Sequence, residues 1–262
     1  MLLRDLVELL VPAACAGCGG ASDAGAPLCA RCDARLPRLP RESCALCQER
    51  SPLAGTRHCS VCAGRRGPLA ACLAAAPFAG AVEDFVHRFK YPRPGLLGLD
   101  PGPRVVACAL VREAAALAPL RADLVIPVPL HTARLRLRGF NPAALLARCL
   151  ARAHGVPVAP RALERVRDTP SQTGLDRRAR ARNVAGAFRV RRGARIPSRV
   201  WLVDDVVTTG ATLREAARAL RHAGARRVIA ICAARTLRIT LEPWDPPSPR
   251  SPGAAGRGRG AS

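Results

Sequence analysis

The stretch Val200-Trp201-Leu202-Val203-Asp204-Asp205-Val206-Val207-Thr208-Thr209-Gly210-Ala211-Thr212 concentrates the residues best suited to chemistry. It reads as an apolar strand, an acidic pair, a tight loop of small residues and then a helical pattern that runs to His222. A loop of small residues entering a helix offers backbone N–H groups and a positive dipole end to a phosphate. Thr208, Thr209 and Thr212 add hydroxyl donors. The acids just before this cradle repel a bare phosphate, so the ligand must also bring hydrogen-bond donors or a cation. A ribose 5-phosphate meets both demands, with its 2′ and 3′ hydroxyls on the carboxylates and its phosphate in the loop. This is the geometry that recognises 5-phosphoribosyl-1-pyrophosphate (PRPP). Two other readings of these residues are a strand-to-helix turn capped by threonines and a Walker B strand. The second lacks its Gly-Lys loop, because the only lysine is Lys90 in Phe-Lys-Tyr-Pro.

Eight cysteines form four CxxC knuckles: Cys15/Cys18, Cys29/Cys32, Cys44/Cys47 and Cys59/Cys62. Zn²⁺ favours four thiolates, and a CxxC turn sets two sulfurs on one edge of the tetrahedron, so four knuckles make two structural sites. Disulfides and an iron–sulfur cluster compete with this reading; the first is disfavoured in a reducing compartment. Four cysteines per ion leave no open position for a catalytic water. Sequential and interleaved pairing of the knuckles look identical in sequence. His58, beside Cys59, reads as a surface residue. Cys72, Cys108, Cys149 and Cys232 sit inside apolar patterns and read as buried small hydrophobes.

Three regions position these groups. Residues 1–67 hold the knuckles and little apolar periodicity, as expected of a small domain held by metal. Residues 68–243 alternate strand-like segments (70–78, 124–128, 188–190, 200–206, 227–233) with helical patterns (82–89, 104–118, 142–154, 212–222). That alternation predicts an α/β fold with a mostly parallel sheet. Residues 244–262, with Pro-Pro-Ser-Pro and Gly-Arg-Gly-Arg-Gly, read as a disordered basic tail. The leucines of residues 2–10 follow helical spacing. Asp5 and Glu8 interrupt any export signal, and the longest nearly apolar run, 69–82, is too short to span a bilayer, so a cytoplasmic protein without membrane insertion is expected. With 42 basic and 19 acidic residues the net charge is +23, which favours phosphate-bearing partners. Two Zn(Cys)₄ centres lower it to about +19.

The strand–Asp204-Asp205–Val206-Val207–Thr208-Thr209-Gly210-Ala211-Thr212 pattern resembles, position by position, the PRPP signature of type I phosphoribosyltransferases. The resemblance implies that Asp204 and Asp205 contact the ribose hydroxyls, directly or beside Mg²⁺, and that Thr208 through Thr212 hold the 5′-phosphate. It narrows to the ComF family with Ile126-Pro127-Val128-Pro129 and Arg138-Gly139-Phe140-Asn141, read as a loop after a buried strand. There Arg134 and Arg138 are implied pyrophosphate ligands, and fork-shaped guanidinium groups suit phosphate oxygens. Asn141 and Pro142 read as N-cap and first helical residue; Pro142 stands where the family usually has Gln. His131 fits a solvent-facing loop better than a general base. Arg167-Asp168-Thr169-Pro170-Ser171-Gln172, then Leu175, Arg180, Asn183 and Ala187-Phe188, is similar to the family's mobile loop, implied to close over PRPP. Lys90-Tyr91 is similar to its Lys-Tyr pair. Together with the cysteine knuckles, the resemblance spans nearly all of residues 1–240.

Two functions follow. One is transfer of phosphoribosyl from PRPP and Mg²⁺ to an unnamed acceptor, linked to DNA uptake in natural transformation. The other is a non-catalytic role in the competence machinery, binding single-stranded DNA or a protein partner such as a helicase. Aromatic residues make up only 3% of the chain, and Trp201 and Phe188 read as core, so few stacking platforms remain for a single strand.

Overall fold

The computed structural model describes residues 14–23, 26–64, 67–92, 102–167 and 182–237, and the backbone of 94–95 and 98–99. The helical pattern of residues 2–10, the segment from Asp168 to Arg180 and the tail from 244 onward lie outside the described residues.

The described elements run α1 (Ala30–Arg35), β1 (Ala71–Pro77), α2 (Ala81–Lys90), β2 (Pro94–Gly95), β3 (Gly98–Leu99), α3 (Gly102–Ala116), β4 (Leu124–Pro127), α4 (Thr132–Arg138), α5 (Pro142–His154), β5 (Leu163–Arg165), β6 (Phe188–Val190), β7 (Arg199–Val207), α6 (Ala211–His222) and β8 (Arg227–Arg235). The central sheet has the order β1-β8-β7-β4 and is parallel throughout. Its strands are near-continuous apolar runs because both faces are covered. Alternate residues serve opposite faces: Trp201, Val203, Ile229 and Ile231 pack with α2, α3 and α5. Val200, Leu202, Val228 and Ala230 pack with Leu213, Ala216 and Leu220 of α6. β1 is rich in alanine, and its small side chains let α3 lie close against it.

The cysteine-bearing segment is docked on this core. Cys15, Leu28, Cys32 and Leu36 belong to the same apolar cluster as Phe85 and Leu110. It also closes the outer edge of β1, which unpaired would expose a row of N–H and C=O groups. Leu39 N donates to Ala75 O (2.8 Å) and Cys72 N to Ala45 O (2.7 Å). Between them the Gln48 side chain acts as a strand surrogate, donating through Nε2 to Ala74 O (2.9 Å) and accepting from Ala74 N (2.8 Å) at Oε1. The far edge at β4 is met by residues 157–159, with Val125 N on Pro157 O and Ala159 N on Val125 O.

Three sequence expectations change. Phe188–Val190 does not join the central sheet; it pairs antiparallel with Leu163–Arg165 in a separate two-stranded sheet. Residues 132–138, read as loop, form helix α4. Its Arg and Leu residues favour helix, His131 Nδ1 accepts from Ala133 N (3.4 Å), and Gly139 ends it at φ 78°. Cys72 and Cys232 are buried, whereas Cys108 and Cys149 are only half-buried. They approach each other from α3 and α5: the bond to Cys108, with the Arg112 and Arg104 charges, holds the Cys149 thiol down to about 7 against its burial.

Candidate functional site

Strand β7 carries Asp204 and Asp205 to its carboxyl end, and the chain turns through Thr208, Thr209 and Gly210 into α6. Gly210 stands at the N-cap with φ 70°, a conformation open to glycine. A Cβ there would come 3.0 Å from Arg214 Nη1. Thr209 Oγ1 accepts weakly from Ala211 N (3.4 Å). Helix α6 has no acidic residue in its first turn, which leaves its positive end suited to an anion. Val206 is half-buried, Thr208 exposed, Thr209 and Thr212 half-buried, and Ala211 buried.

The acid pair is strongly polarised. Asp204 Oδ1 accepts from Asp205 N (2.9 Å). Burial and the adjacent Asp205 carboxylate push the Asp204 carboxyl up to about 7, against the lowering pull of that backbone bond, Lys90 and Arg165. Lys90 Nζ lies 2.9 Å from Asp205 Oδ1, with both side chains largely enclosed. This carboxylate is therefore already paired with a cation. Helix α2 delivers Lys90 as its last residue, and Tyr91 follows.

Tyr91 extends the row. Arg138 Nη2 donates to Tyr91 Oη (2.8 Å), and the guanidinium sits 4.8 Å from the ring centroid. Arg134 and Arg138, four residues apart, share the half-buried face of α4, while Leu135, Arg136 and Leu137 are exposed. Asn141 caps α5 as its sequence suggests, accepting from Ala143 N (3.1 Å) while its Nδ2 anchors Val128 O (3.0 Å). The structure thus links Lys90 to Asp205 and Arg138 to Tyr91 beside Lys90. Arg167 is not drawn into this group: it is exposed and donates to Ala185 O.

Arg165 carried no sequence signal. Its guanidinium lies 5.6 Å from the Phe188 ring centroid, and its charge acts on Asp204. Only the pairing of β5 with β6 brings it there.

The eight knuckle cysteines segregate sequentially into Cys15/Cys18/Cys29/Cys32 and Cys44/Cys47/Cys59/Cys62, each set with its sulfurs within 4.8 Å of one another. None is in a disulfide. Cys18 and Cys29 sulfurs lie 3.9 Å apart and those of Cys47 and Cys59 3.8 Å apart. A tetrahedron with bonds of about 2.3 Å has edges of about 3.8 Å, so the donor sets fit zinc. Backbone amides of Gly17 and Cys29 donate to Cys15 Sγ (3.4 and 3.2 Å). Burial raises the Cys44 thiol, but amides of Cys47, Cys59 and Leu46 outweigh it and hold it down to about 6. His58 belongs to neither quartet.

A family model described as the phosphoribosyl transferase domain matches residues 139–247. Competence protein F of Haemophilus influenzae is 39% identical over 108 residues, 40% of this chain and 47% of that protein, so the match spans about half its length. DNA utilization protein YhgH of Salmonella typhi is 32% identical over 170 residues, 65% of this chain and 74% of that one. This chain belongs to the ComF family. YhgH of Escherichia coli K12, 31% identical, aligns with the same shares of both chains. Within this ComF chain the matched domain contains the acid pair, the Thr208–Thr212 loop and Arg167; Lys90, Arg134, Arg138 and both quartets precede it. A glutamine PRPP amidotransferase from B. subtilis, complexed with ADP and GMP, gives a partial structural likeness: TM-score 0.37, 23% identity, 56% of this chain and 30% of that one. By the family model, the parallel sheet and the two cysteine quartets, the ComF chain combines a phosphoribosyltransferase-type domain with two Cys₄ groups able to bind zinc. No helix among the described residues is long and apolar enough to cross a membrane.

Proposed function

We propose that this chain binds PRPP with Mg²⁺ and transfers its phosphoribosyl group to an acceptor, in the service of DNA uptake. The observation that carries the reading is the Lys90–Asp205 contact on the strand that leads into the Thr208–Thr212 loop: a cation-accepting carboxylate stands three residues before an anion cradle. In this reading the loop amides and threonine hydroxyls hold the 5′-phosphate. Asp204 and Asp205 take the 2′ and 3′ hydroxyls, and Arg134 and Arg138 take the pyrophosphate. Asp205 and its neighbour would hold Mg²⁺, whose chemistry is to neutralise pyrophosphate charge as it leaves C1. The Tyr91 contact keeps the Arg138 guanidinium aimed along this row before ligand arrives. Arg167 and the segment after it would close over the ligand. The two quartets would carry structural zinc, and the names of the Haemophilus and Salmonella relatives support the link to DNA uptake.

Thermal-shift measurements test the division of labour. With Mg²⁺ present, PRPP should raise Tm more than ribose 5-phosphate does. Arg138→Ala should reduce the PRPP shift to that of ribose 5-phosphate while leaving the latter intact. Equal shifts for both ligands in the unmodified protein would remove the pyrophosphate role of α4.

A further inference from the structure

A cavity of about 560 Å³ lies between the second cysteine quartet and the phosphate loop. Its walls include Thr208, Thr209 and Gly210, but not Lys90, Asp204, Asp205, Arg134 or Arg138. The cavity therefore borders the loop without being lined by the acid pair. The size suits a small organic ligand.

The charge in the wall says what kind. Arg235, at the end of β8, lines the cavity and is only 6% exposed. Its Nε donates to Gln48 Oε1 (3.1 Å), and its Nη2 to Leu46 O (3.2 Å) and Cys72 O (2.6 Å). All three acceptors are neutral, and among the described residues no carboxylate comes within ion-pair distance of it. A buried guanidinium without a counter-charge is destabilising and favours an anion beside it. A metal-loaded quartet, with Cys47 and Cys62 in the same wall, offsets part of that charge. Arg50 adds a further cation to the wall, beside the acid Glu49. Leu46, Val61 and Leu69 supply an apolar wall between them.

We propose that this cavity is a second ligand site, taking a small phosphomonoester with an apolar ring system, separate from the ribose site and sharing only the phosphate loop with it. The cysteine module contributes seven of the eighteen residues that line it, which gives that module a part in recognition beyond closing the sheet edge. The inference does not depend on the PRPP reading.

The test uses the zinc-loaded full chain and 1-naphthyl phosphate, which has no ribose, followed by fluorescence anisotropy. Arg50→Glu and Val61→Trp act at exposed positions, Val61 being 43% exposed, so the fold should survive both. Each should weaken naphthyl phosphate binding at least about tenfold and leave PRPP titrations within about twofold. The Asp204→Asn/Asp205→Asn chain should bind naphthyl phosphate as the unmodified chain does. Inorganic phosphate should bind more weakly than the naphthyl ester. The proposal is overturned by absence of binding, by indifference to both wall variants, by loss in the double Asn chain, or by equal affinity for inorganic phosphate. Failure of PRPP binding alone would leave this result standing and count against the ribose site only.

Discussion

Asp204 is the residue whose environment makes the sharpest demand. Its carboxyl ionises near 7 in the folded chain and near the ordinary value of 3.8 when unfolded. Between those values the folded state binds more protons, so stability falls as pH rises from about 4 to 7. The loss is at most about 4 kcal/mol. Urea unfolding should show this decline, and Asp204→Asn should flatten it; an unchanged slope in the variant would place the titration elsewhere. Ionisation of the same group should favour Mg²⁺, so ligand binding should strengthen as pH passes 7. At this scale sequence was informative wherever chemistry is contiguous: the acid pair, the loop and the CxxC knuckles each fall within a few residues. Gln48 and Arg235 were invisible because they meet across 187 positions. Arg165 escaped for the same reason, since Asp204, on which its charge acts, lies in a different sheet.

Elements repeat this pattern. The alternating apolar segments predicted β1, β4, β7, β8 and the helices between them, because both-sided burial leaves a plain hydrophobic signature in each strand. Phe188–Val190 carries a similar signature yet belongs to a different sheet, since three residues do not specify a partner. Helix α4 was hidden because its leucines are exposed, Leu137 at 91%, and so lack the one-sided pattern of a packed helix. The Gln48 side chain fills the gap between the two backbone bonds that dock the cysteine segment on β1. Gln48→Leu should leave Ala74 N, Ala74 O and Arg235 short of partners and cost about 2–4 kcal/mol, read as a clear fall in Tm. A variant as stable as the parent would show that the edge is closed by Leu39 and Ala45 alone.

Across the whole molecule, the two quartets act as fastenings for an otherwise thin N-terminal segment. Atomic spectroscopy should find about two zinc ions per chain. Their removal by a chelator should expose the β1 edge, which predicts aggregation together with loss of zinc. A metal-free chain that stays monomeric and keeps its Tm would contradict this arrangement. The charge of +23 adds a second consequence. Any binding of single-stranded DNA should be steeply salt-dependent, because Tyr91, 53% exposed, is the one aromatic side chain among the described residues that stands well clear of the core. The overall class of fold was legible from strand–helix alternation. The placement of the cysteine segment was not, because a metal knuckle records its ligands in sequence but not the surface it rests on.

The most direct test of the ribose-phosphate site is calorimetric titration of the zinc-loaded chain with PRPP and Mg²⁺, beside the Asp204→Asn/Asp205→Asn chain. Micromolar binding that disappears in the double variant is the predicted result. A folded, zinc-replete protein that takes up no PRPP, or a double variant that binds it as well as the parent, would contradict the account.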